Sequence, residues 1–140
     1  MKEFAYFIKE GSVRRVSEDI NLAKSLIKDM KERIKDVSVR GISPKLVFEN
    51  IYDALRDFCD ALLAIKGFKS YSHEASISFL KNCNFEDSII NEFDLFKYKR
   101  NGSKYYGRPI FKEDADEIRK FYERLKPKIN KIIKENKLEW

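Results

Sequence analysis

Residues 97–108 read Lys-Tyr-Lys-Arg-Asn-Gly-Ser-Lys-Tyr-Tyr-Gly-Arg: five cations, three tyrosines and no carboxylate. Ammonium and guanidinium groups meet phosphate oxygens, Arg100 bidentately, and phenol rings offer flat faces on which a nucleobase stacks. That pairing of residue types suits a nucleotide or an RNA backbone, with Lys97, Lys99, Lys104, Tyr106 and Arg108 as binding candidates around Arg100. Gly102 and Gly107 let the backbone come close to a ligand or turn. A solvated basic turn between two helices is the plainer reading of the same residues.

The charge distribution points to the same place. The formal net charge is +6, yet residues 1–96 carry 15 Lys/Arg against 16 Asp/Glu, whereas residues 97–140 carry 14 against 7. The positive excess therefore lies in this stretch and the helix that follows, where an anionic partner would use it; solubility is the other use of such a helix. One histidine, His73, and two widely separated cysteines, Cys59 and Cys83, supply no metal-ligand spacing, so no metal and no cofactor are expected, and the thiols read as reduced and buried. No apolar run is long enough to span a bilayer and the first residues lack a cleavage region, which predicts a cytoplasmic protein with no membrane partner. The sequence holds neither threonine nor glutamine and is rich in Lys, Glu and Ile, a composition that fits a thermophilic source.

The elements that must position residues 97–108 are helical. Apolar residues recur at three and four from Ile20 through Ala23, Ile27, Met30 and Ile34 to Val37, with Ser17 as the expected N-cap. Ser43-Pro44 starts, and Gly67 stops, the longest helix. Phe48, Ile51, Leu55, Phe58, Leu62 and Ile65 form one seam of it, and Val47, Ala54 and Ala61 a second, which places it inside a bundle or at a subunit contact. Its polar stripe carries Glu49, Asp53, Arg56 and Asp60, either a solvated salt-bridged face or a source of the carboxylate, Asp53 or Glu49, that orients Arg100. Serines 70 and 72 can cap a shorter helix that begins near His73. Glu86-Asp87 opens another, with Arg100 at its C-terminal end and Gly102 as its stop, and a last helix runs from about Glu113. No stretch alternates with period two, so the prediction is an all-α fold: an antiparallel up-and-down bundle of four main helices plus a short one, a single domain over residues 1–140, with no sheet.

Three segments of this chain, residues 50–56, residues 67–75 and above all Arg100-Asn101-Gly102-Ser103-Lys104-Tyr105-Tyr106-Gly107, resemble the HEPN family of nucleotide-binding helical bundles, and the chain looks closest to small stand-alone archaeal members. The resemblance implies an HEPN-like bundle, a homodimer, and a basic cleft that binds nucleotide or RNA. In active members an arginine, usually followed by a polar residue, and a histidine five to seven positions later form a metal-independent endoribonuclease of toxin–antitoxin type. Arg100 and Asn101 match that pattern, while Tyr105, or Tyr106, stands where the histidine would be, so catalysis is left open. A phenol titrating near 10 is a poor base at neutral pH unless cations depress it. His73 is the other proton carrier, unless it only packs against Tyr71 at its helix end. An alternative drawn from the same resemblance is a non-catalytic helical partner of a minimal nucleotidyltransferase, with Tyr106 as the nearest analogue of a nucleotide-accepting tyrosine.

Overall fold

The computed structural model describes residues 1–139. Six α-helices dominate them: α1 (Phe4–Glu10), α2 (Ile20–Asp36), α3 (Pro44–Lys66), α4 (His73–Ser78), α5 (Asp87–Tyr106) and α6 (Lys112–Glu135), with a 3-10 turn at Phe79–Cys83. The central helix α3 begins as its residues dictate. Ser43 Oγ accepts from the Leu46 N–H at 3.3 Å, Pro44 occupies the first turn, and Gly67 ends the helix at φ 79°. A side chain in place of Gly67 would be strained, because a Cβ there would lie 2.8 Å from the Val16 carbonyl oxygen unless the backbone shifted.

Contacts along the long helices give their relative directions. Arg33 on α2 pairs with Asp57 and Asp53 on α3, while at the other end the Asp19 N–H donates to the Ala64 carbonyl, so α2 and α3 run antiparallel. Phe48 meets Phe96, and Tyr52 meets Phe93, which sets α5 antiparallel to α3. Lys99 pairs with Asp114, and Glu92 with Arg124, which sets α6 antiparallel to α5. Phe121 of α6 closes the aromatic core, its ring centre 5.1 Å from that of Phe96 and 5.9 Å from that of Phe93. Both apolar seams of α3 are covered inside the chain, by α2, α4, α5 and α6. Its two-sided pattern is therefore that of an interior helix.

Three expectations need correction. A small sheet exists: β1 (Val13–Arg15) pairs antiparallel with β2 (Phe68–Ser70), Arg14 facing Lys69. Strands of three residues are too short for alternation to be read, and this ribbon forms because the Gly67 turn carries the chain back beside the segment leading into α2. The N-cap of α2 is Asp19, whose Oδ1 accepts from the Leu22 N–H at 2.9 Å, and not Ser17, which lies in the extended lead-in whose Val16 N–H is held by the Gly67 carbonyl. Helix α5 also runs through Gly102 to Tyr106, and Gly107, at φ 66°, ends it. Both thiols are free. Among the described residues no helix is long and apolar enough to cross a membrane.

Candidate polyanion site at Arg100, Tyr52 and His73

Extending α5 past Gly102 places Arg100 well inside the helix, on the side that packs against α3. Its guanidinium carbon lies 5.2 Å from the centre of the Tyr52 ring, and its Nη2 is 3.4 Å from Asp53 Oδ1. Of the stripe on α3, Asp53 is thus the carboxylate that meets Arg100, and it also faces Arg33 at 3.8 Å. Glu49, on the same stripe, is half-buried.

Tyr52 joins Arg100 to His73. The phenol is fully buried, its Oη lies 3.0 Å from His73 Nδ1, and the two rings stack at 19° with centres 5.9 Å apart. His73 can be there because the Gly67 turn and β2 return the chain along α3, and the Ser72 Oγ then caps α4 by accepting from the Ala75 N–H at 3.3 Å. The imidazole accordingly stacks on Tyr52. Burial and the cations Arg56, Arg100, Lys104 and Lys97 together depress its pKa to about 4, so it is neutral at pH 7. Burial likewise pushes the Tyr52 phenol up, against the opposing pull of Arg56 and Arg100, and keeps it protonated.

The two arginines are incompletely neutralised. Arg56 meets Asp60 through one contact at 3.7 Å, and Arg100 meets Asp53 through one at 3.4 Å. In both, the Nε–H is buried without an acceptor. Neither forms the two-bond fork that pairs a guanidinium fully with a carboxylate. Lys97, one turn before Arg100, pairs with Asp94 at 2.8 Å, and Lys104, one turn after, is exposed. Arg56, Lys97, Arg100 and Lys104 thus all act electrostatically on a neutral imidazole–phenol pair, with Arg100 over the Tyr52 ring, and their combined field favours an anion able to reach it.

The remaining candidates lie around this cluster rather than in it. Tyr105 and Tyr106 project into solvent from the last turn of α5, with the Lys104 ammonium 5.6 Å from the Tyr105 ring centre. Lys99 turns to α6, bonding Asp114 at 2.8 Å and Glu117 at 3.2 Å. Asn101 is half-buried. Arg108 folds back over α5 and lies between Tyr98 and Tyr106. Concavities of about 550 and 440 Å³ occur elsewhere, the first between α2 and Leu138, the second between the lead-in to α2 and β2. Tyr52 and Arg56 are the members that residue spacing did not single out as site residues. Their signal was a phenol and a cation one turn apart on α3, with Asp53 between them. No protein-family model, curated protein or solved structure matches this chain.

Proposed function

We propose that this chain is an HEPN-like helical bundle that binds RNA or a nucleotide through phosphate contacts at Arg100, Arg56, Lys97 and Lys104. The observation that carries the reading is that Arg100, over the Tyr52 ring, and Arg56, one turn along α3 from Tyr52, are each held by a single loose carboxylate contact with a buried Nε–H left without an acceptor. A phosphate placed there supplies the acceptors that Asp53 and Asp60 leave unmatched.

The hydrogen bonding of the pair favours binding over cleavage. His73 Nδ1 is engaged with the Tyr52 hydroxyl at 3.0 Å, which leaves the other ring nitrogen to meet a ligand. With the hydroxyl donating to Nδ1, that nitrogen is an N–H donor, able to bond a phosphate oxygen and unable to take a proton from a 2′-hydroxyl, and an imidazole depressed to about 4 is a weak base at neutral pH. Cleavage that survives EDTA, leaves cyclic phosphate ends and disappears in His73→Ala would reverse this assignment and restore the ribonuclease reading.

Filter binding to a single-stranded RNA at two salt concentrations tests the binding claim. Neutralising four phosphates gives a slope of about −3 in log K against log salt, hence a loss of about 50-fold between 50 and 200 mM. Arg100→Ala should weaken binding and flatten that slope by about 0.7. Absence of binding by the unaltered protein at low salt would refute it. The two-fold dimer belongs to the same proposal, and light scattering at twice the 16.6 kDa chain mass is its check.

A further inference from the structure

Gly102 lies in the interior of α5, where glycine is the least favourable residue after proline. Its lack of a side chain has a use there. The Arg108 stem crosses it so closely that a Cβ would stand 3.0 Å from Arg108 Cδ. Seated on Gly102, the guanidinium carbon is 5.7 Å from the Tyr98 ring centre and 5.7 Å from that of Tyr106, and Nη1 donates to the Tyr98 hydroxyl at 3.3 Å. The two phenols stay open, Tyr98 63% and Tyr106 76% exposed. At 100° per residue, Tyr98, Gly102 and Tyr106 point away from the core side that carries Arg100, so this is a separate face of the same helix.

We propose that the Tyr98–Arg108–Tyr106 ladder seated on Gly102 is a stacking platform for unpaired bases, so that the anionic partner is single-stranded RNA rather than a duplex or a free nucleotide. This rests on the RNA-binding reading of the Arg100 site and extends it across α5. Stacking needs open planar faces of a kind every base can use, and phenol and guanidinium planes provide them. Arg108 spends one N–H on Tyr98 and keeps others for a phosphate. A second copy of the chain fits this face poorly at its centre: the cation seated there is Arg108, and an identical face would set guanidinium against guanidinium. A single strand supplies bases for the rings and phosphates for the charges at once.

Fluorescence anisotropy with a labelled ten-nucleotide RNA, single-stranded or annealed to its complement, decides the matter for the unaltered chain, Gly102→Ala, the double variant Tyr98→Leu/Tyr106→Leu, and Arg100→Gln. Gly102→Ala should weaken single-strand binding at least about fivefold, leave duplex binding unchanged, and hold or raise the thermal midpoint, since alanine is the better helix former. A merely structural role for Gly102 would not separate the two RNA forms. The tyrosine pair should show the same selective loss. If Gly102→Ala and the tyrosine variant bind the single strand as tightly as the unaltered chain while Arg100→Gln has lost it, the platform is refuted and the Arg100 site stands. Selective loss in the ladder variants with Arg100→Gln unimpaired upholds the platform and refutes the Arg100 site, and failure of the unaltered chain to bind either form refutes both.

Discussion

His73 is the single histidine of the chain, so its Hε1 resonance reports on the site without assignment ambiguity. Burial and four cations set its midpoint at about 4. The Arg100→Gln substitution removes one of those cations. Its guanidinium carbon lies 5.2 Å, and the imidazole centre 5.9 Å, from the same Tyr52 ring centre, so the two are no more than about 11 Å apart. With an effective dielectric constant of about 40, one charge at that distance contributes about 0.7 kcal/mol, or about half a pH unit. Proton NMR titration of the two proteins should show the Arg100→Gln midpoint higher by at least that amount. The sign carries into stability: the folded pKa is depressed, so the unfolded chain binds the proton first, and stability present above about pH 6.5 is lost as the pH falls toward 4. Because the ring is only half-buried and its cations reach water, screening leaves about 1–2 kcal/mol of this linkage, absent in His73→Asn. A midpoint near 6.5 in the unaltered protein, or one unmoved by Arg100→Gln, would show that the cations do not converge on the imidazole.

Tyr52→Phe keeps the ring contacts with Phe93 and removes the hydroxyl that meets His73 Nδ1 at 3.0 Å, so chemical denaturation should register a loss of about 1–2 kcal/mol with the helical circular dichroism unchanged. Gly67→Ala forces a side chain into φ 79° and against the Val16 carbonyl, and should cost at least about 2 kcal/mol by the same assay. Arg14→Glu replaces a cation that faces Lys69 across the ribbon with its opposite, and should raise stability by about 0.5 kcal/mol, an increment that high salt removes.

The helices were legible where the sequence carries both a period and a stop. Ser43, Pro44 and Gly67 bound α3 as their chemistry requires, and the three-and-four spacing from Ile20 to Val37 sets the inner face of α2. Gly102 was misread because glycine within a helical run normally marks an end, and only the return of Arg108, six residues on, reveals why α5 continues. The ribbon is a long-range pairing between residues 13–15 and 68–70, whose three-residue strands carry no pattern of their own. The site divides in the same way. Arg100 and Asp53 could be named from residue type and spacing, since both face the α3–α5 contact. Tyr52 and Arg56 could not, because their roles depend on the turn that brings His73 back alongside α3.

The central claim is that a polyanion settles among Arg56, Lys97, Arg100 and Lys104, and the His73 titration repeated with saturating single-stranded RNA tests it most directly. Phosphate charge neutralises the cations that repel an imidazolium but leaves the burial that is the larger cause of the depression, so the midpoint should rise from about 4 by about half a pH unit or more when RNA is bound. A midpoint that stays at about 4 while the RNA is demonstrably bound would place the ligand elsewhere on the molecule and contradict the account.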